Sequence, residues 1–120
     1  MKSLCTLGSL LALLTCIQAA PIESRSLLTG DGTFYQVGLG SCGETSSDSD
    51  MVAALSSELM GDSKKYCGKS ITVKSKKGSV KLKVVDTCPS CSKSDVDMSS
   101  AAFKKLGSLN TGRIDISWSL

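Results

Sequence analysis

The stretch from Val80 to Cys91 limits what this chain can become more than any other. Val80, Leu82 and Val84 alternate with Lys81 and Lys83, the period of a strand with one face in a core and one in water. The alternation then runs into a carboxylate, Asp86, and a Cys88-Pro89-Ser90-Cys91 step. A strand that stops on an acid and a stiff turn holds a polar group at the rim of a fold. The simpler role for Asp86 is to cap that turn through its side chain, and on local pattern alone the two roles weigh equally.

The chain has 120 residues, which argues for a single domain. Its first segment stands apart. Lys2 supplies a short positive start, Leu4 to Ile17 is mostly apolar, and Ala19-Ala20 offers small residues for cleavage. Residues 1–20 therefore read as a secretory signal peptide, too short and wrongly flanked for a membrane span. Nothing later is apolar enough to cross a membrane, so a soluble, secreted, extracellular product is expected. Cys5 and Cys16 leave with the signal. Cys42, Cys67, Cys88 and Cys91 remain, an even number that suggests two disulfides in an exported chain. Three pairings are open. A zinc site is disfavoured by the exported setting and the absence of histidine. We expect no metal and no cofactor.

The formal net charge is +3, and loss of Lys2 lowers it by one. That is too mild to argue for nucleic acid. The cations are nevertheless crowded: Lys64, Lys65, Lys69, Lys74, Lys76, Lys77, Lys81 and Lys83 fall in one third of the remaining chain. A solvated strand face with lysine-protected edges explains them more simply than an anion-binding patch.

Residues 21–30 show no period and read as a flexible leader. Gly32 to Val37 is strand-like. Gly38-Leu39-Gly40-Ser41-Cys42-Gly43 is a glycine-rich bend without the Lys-Ser/Thr pair of a phosphate loop. Met51, Ala54, Leu55 and Leu59 form a stripe that predicts a helix over 51–60, capped by Asp48 or Asp50 and stopped at Gly61. Ile71 and Val73 alternate with polar residues, and Lys76-Lys77-Gly78-Ser79 turns that strand back into the central one as a hairpin. Val96-Asp97-Met98 is extended. Ser99 caps a helix to Leu106, with Gly107 as its stop. Ile114, Ile116, Trp118 and Leu120 alternate strictly, the clearest strand of all, with Trp118 in the core. The only asparagine, Asn110, lies in no glycosylation sequon. Short strands with two short helices in a cross-linked chain argue for a small, mostly-β barrel.

The order of these pieces resembles the double-psi β-barrel of rare-lipoprotein-A-like and expansin-like proteins, barwin among them, and the tone of the sequence is fungal. The resemblance rests on Gly32-Thr33-Phe34-Tyr35, Gly38 to Gly43, Asp48 to Leu55, Cys67-Gly68-Lys69, Val84 to Cys91, Val96-Asp97-Met98-Ser99 with Ala102-Phe103, and Gly112 to Trp118. It implies a six-stranded double-psi β-barrel over 31–120 with a shallow groove. It assigns to that groove Thr33, Asp86 and Asp97, with Tyr35 as a platform for sugar. It also implies the pairs Cys42–Cys67 and Cys88–Cys91.

The departures matter as much. Inverting glycosidases on this barrel carry Thr-x-Tyr-x-Asp on the first strand, and Val37 stands where their basic aspartate belongs. Inversion needs an acid and a separate base about 6.5–9.5 Å apart. Without the base, ordinary hydrolysis is not expected. Asp97 holds the position of the general acid and could act alone only in lytic cleavage, as in the bacterial rare-lipoprotein-A enzymes. An aromatic that expansin-like proteins carry two places after the first groove aspartate is here Cys88, and a second domain like theirs is not expected. Three functions follow from the resemblance. The first is a non-hydrolytic binder or loosener of cell-wall polysaccharide. The second is a module for an extracellular protein, such as an inhibitor of papain-like cysteine proteases acting through the loops Glu44–Asp50 and Cys88–Ser94. The third, ranked last, is a lytic transglycosylase. A monomer is expected, with neither nucleic acid nor membrane as partner.

Overall fold

In the computed structural model, residues 27–120 can be described. The expected signal peptide and most of the expected leader lie outside them. Six strands close into a barrel: β1 (Leu28–Phe34), β2 (Val52–Ser56), β3 (Ser70–Lys74), β4 (Ser79–Cys88), β5 (Val96–Met98) and β6 (Ile114–Ser119). Round the barrel the order is β1-β5-β2-β4-β3-β6. Two neighbouring pairs, β1–β5 and β2–β4, run parallel, and the rest are antiparallel. Two short helices flank it, α1 (Ser57–Met60) and α2 (Ser100–Leu106). No helix among the described residues is long and apolar enough to cross a membrane.

The alternating strands form where their pattern places them. Ile71 and Val73 of β3, Val80, Leu82 and Val84 of β4, and Ile116 and Trp118 of β6 all lie in one core with Phe103 and Leu106 of α2. The Trp118 indole N–H donates to Ser94 O at 2.8 Å, so burying the ring leaves no donor unpaired. Ser99 caps α2 by accepting from Ala102 N, and Gly107 N–H closes it on Phe103 O.

Two expectations are corrected. The segment 51–60 is not one helix: Val52–Ser56 is a strand, and only Ser57–Met60 is helical. All five strand residues are buried, and β2 runs between β4 and β5 with a ladder on each side. A short, continuous apolar run suits an interior strand as well as a helix, and here the ladders on both flanks decide. Gly61 does end the helix, at φ 66°, a left-handed value that costs glycine least. Asp48 and Asp50 do not cap it; Ser56 does, by accepting from Leu59 N. The second correction is smaller. β1 begins at Leu28, inside the segment read as leader, where Leu28 to Gly32 pair with Trp118 to Ile114.

Both disulfides form as the resemblance implied, Cys42–Cys67 and Cys88–Cys91. The first ties the glycine-rich bend to the loop before β3. The second closes the turn after β4.

Candidate functional site

The site begins with an irregularity in β4. Val80, Leu82 and Val84 point inward, and strict alternation would send Asp86 inward after them. The β2–β4 pairing breaks that phase: Ala53 pairs with Val84, but Ala54 pairs with Asp86, so Val85 is an extra residue. This bulge turns Asp86 to the outer face. Ala54 also pairs with Asp97 of β5, and Asp97 with Thr33 of β1. Thr33, Asp97, Ala54 and Asp86 thus form one row across four adjacent strands. Neighbouring strands stand about 4.8 Å apart, so the backbones of the two acids lie about 10 Å apart, with only the small Ala54 between them.

Each acid is held. The Thr33 hydroxyl donates to Asp97 Oδ1 at 2.8 Å. Asp97 Oδ2 lies 3.8 Å from Cys88 Sγ. Asp86 Oδ1 accepts two backbone N–H groups, Ser41 at 2.9 Å and Thr87 at 2.8 Å, and the hydroxyls of Ser41 and Thr87 share a hydrogen bond of 2.8 Å. The Ser41 contact explains the glycine-rich bend, which lies directly on the bulge. A Cβ on Gly40 would sit 2.2 Å from Val85 O, so only glycine lets the bend approach. Cys42 N–H then donates to Val85 O at 3.2 Å.

Burial raises the Asp97 pKa above the usual carboxylate range. The Thr33 bond and the positive charge of Arg113 oppose that rise, and the Asp86 charge adds to it. Tyr35 follows β1, its N–H donating to Met98 O at 3.0 Å. Its phenol is half-buried, and burial first, then the charges of Asp86 and Asp97, keep it protonated far above neutral pH. Both acids therefore act on Tyr35, and Asp86 acts on Asp97. Thr33, Tyr35, Asp86 and Asp97, which the resemblance assigns to a groove, lie near one another and are each half-buried.

The face is shallow. Beside Tyr35 a pocket of about 410 Å3 is lined by Phe34, Tyr35, Gln36, Asp48 and Ser100. Asp48 enters it because its Oδ1 accepts the Val37 N–H at 3.1 Å. Sequence reasoning missed this residue, and nothing in a polar loop signals such a contact. It also missed Arg113. The β1–β6 register runs from Leu28↔Trp118 to Gly32↔Ile114. One further step sets Arg113 beside Thr33, at the end of the acid row. A signal existed: Ile114 and Ile116 face inward, so Arg113 must face outward.

Ligand atoms of Cys88, Cys91 and Asp97 lie within 4.8 Å of one another. The two sulfurs are joined to each other, however, and a disulfide has no thiolate to give a metal. This cluster does not fit an ion.

Comparison with known proteins agrees with this fold. The model of the lytic transglycolase family matches residues 28–118. An Asp f 7 allergen homolog of Arthroderma benhamiae is 36% identical over 90 residues, 72% of this chain and 31% of that protein. A papain inhibitor of Streptomyces mobaraensis is 33% identical over 108 residues, 83% of this chain and 76% of the inhibitor. Among solved structures, a point mutant of Clavibacter michiganensis expansin in complex with cellohexaose superposes with a TM-score of 0.71 at 30% identity, covering 78% of this chain and 49% of the expansin. The Streptomyces papain inhibitor superposes with a TM-score of 0.72 at 29% identity, covering 78% of this chain and 93% of the inhibitor. The chain thus spans about a third of the Arthroderma relative and about half of the expansin. The chain belongs to the lytic transglycolase family of rare-lipoprotein-A-like double-psi β-barrels.

Proposed function

We propose that this protein is secreted, works as a monomer without a cofactor, and binds cell-wall polysaccharide without hydrolysing it. The observation that carries this reading is the row of half-buried Thr33, Asp97 and Asp86 on the outer side of the barrel, with the buried Ala54 between the two acids. Asp86, with one oxygen fixed by two amides, presents the other to sugar hydroxyls. Asp97, its pKa raised by burial, can accept from a hydroxyl or donate to a ring or glycosidic oxygen. Tyr35 adds a half-buried aromatic edge and a neutral O–H. A cellohexaose complex of a related expansin supports a glycan as ligand. Turnover is not expected, because Val37 offers no carboxylate to activate water. The nearby Asp48 carboxylate lies on an exposed loop and is tied to the Val37 amide.

One observation favours a second reading, inhibition of a papain-like protease. The chain spans nearly all of the solved papain inhibitor, and so matches it in size. Its bend from Gly38 to Ser46 is braced by the Leu39↔Thr45 bridge and by Cys42–Cys67, and Leu39 is 75% exposed upon it. A rigid loop with a protruding apolar residue suits entry into a protein cleft.

The two readings part in one set of assays. Sedimentation with insoluble cellulose, chitin and peptidoglycan is measured for wild type and Asp97→Ala, beside papain inhibition and analysis of released sugars. Wall binding lost in Asp97→Ala, with no sugar released, supports the first reading. Papain inhibition unchanged by Asp97→Ala, without wall binding, replaces it with the second. Anhydro-ended sugars released by wild type overturn the claim of binding without turnover.

A further inference from the structure

The acid row does not end at Thr33. Its next position is Arg113, which donates to Asp31 Oδ2 at 2.8 Å yet stays largely exposed. The Arg113 charge acts on Asp97, so the two belong to one electrostatic surface. Arg113 also lines a pocket of about 350 Å3, together with Lys76, Lys77, Leu106, Ile114 and Thr111. The floor of this pocket is apolar: Leu106 is buried and Ile114 packs against the core. Its rim is cationic. Lys77 Nζ donates to Lys104 O at 3.3 Å on the surface, while the Ser75 hydroxyl, donating to Leu106 O at 2.7 Å, holds the β3–β4 turn against the end of α2. Lys76 and Lys77 take part in no ion pair among the described residues. The acidic side chain in the lining is Asp115, which faces Asp31 across the β1–β6 ladder.

We propose that this pocket continues the groove as a subsite for a carboxylated sugar, so that the polymer held is an anionic, uronate-type glycan. An apolar floor suits the C–H face of a pyranose ring, and a rim of Arg113, Lys76 and Lys77 suits its carboxylate. The neighbouring, uncharged hydroxyls of the chain then face Asp97 and Asp86, where a second carboxylate would be repelled. The polarity of the row, anionic at Asp86 and cationic beyond Arg113, sets the register of such a polymer. The inference rests on the polysaccharide-binding reading and names its substrate class.

The test compares polygalacturonate with the same polymer fully methyl-esterified, which keeps the backbone and removes the charge. Affinities of wild type, Lys76→Gln/Lys77→Gln and Asp97→Ala are measured at low and high salt. Wild type should bind the acidic polymer at least about fivefold more tightly at low salt, the value of one good exposed charge pair. High salt should erase that difference, and the double lysine variant should reduce it. Asp97→Ala should weaken binding of both polymers. The lysines are exposed and make no ion pair, so the fold should survive, which a thermal melt verifies. Equal affinity of wild type for both polymers overturns the subsite and leaves the glycan reading standing. A preference undiminished in the lysine variant also overturns it. Failure to bind either polymer, or any neutral wall glycan, overturns both.

Discussion

Asp97 carries two opposed demands. Burial disfavours its ionised form, while the Thr33 hydroxyl and the Arg113 charge favour it. Because burial prevails and its folded-state pKa is raised, ionising Asp97 costs the fold. The stability it contributes is complete below its unfolded pKa of about 3.9 and is lost as pH rises through the raised folded value. Asp97→Asn keeps an acceptor for Thr33 and cannot ionise. Thermal melts should therefore show the Asn variant gaining stability relative to wild type between pH 3 and pH 7. A difference independent of pH would show that Asp97 ionises in the fold as freely as in water. The Tyr35 hydroxyl stays protonated across that range, so Tyr35→Phe should leave the melt nearly unchanged and weaken wall binding alone.

The strands show which elements a sequence reveals by itself. β3, β4 and β6 each face the core on one side and water on the other, so their alternation was legible. α2 was legible from Ser99 and Gly107, residues whose chemistry is local. β2 was not, because a strand buried on both faces has no alternation to read, and Val52 to Leu55 matched a helix equally well. Thr33, Tyr35, Asp86 and Asp97 were reached through family resemblance. The Val85 bulge, which aims Asp86, depends on a ladder with a distant strand and left no local trace. The bulge and the bend above it yield a direct prediction. Gly40→Ala places a Cβ against Val85 O, with backbone on both sides of the clash. It should cost about 2 kcal/mol or more in urea unfolding. Gly38→Ala, with open space at its Cβ, should change stability by less than about 0.5 kcal/mol. Similar costs at both positions would mean that the bend does not rest on β4.

For a barrel this small, covalent bracing matters because the core alone offers limited stability. The two disulfides should contribute unequally. Cys42–Cys67 closes a separation of 25 residues and Cys88–Cys91 one of 3. By loop-closure entropy, replacing the first pair with serine should cost about 3.5 kcal/mol, and replacing the second about half that. Denaturant melts of the two double variants check the order. Function should rank the other way, since Cys88 lies against Asp97 itself, whereas Cys42 reaches Asp86 only through its neighbour Ser41. A second-pair variant that stays folded and binds wall glycan as wild type does would remove the turn from the account of the site.

The proposed function requires that a single outer row of side chains, assembled from four strands, grips sugar. Amide shifts of the isotope-labelled protein, followed while a soluble wall oligosaccharide is added, test it most directly. The perturbed amides should cluster at Thr33, Tyr35, Ala54, Asp86 and Asp97, and the same titration of Asp97→Ala should leave them still. Saturable shifts confined to the Leu39 loop or to the far side of the barrel, with the row unmoved, would contradict it.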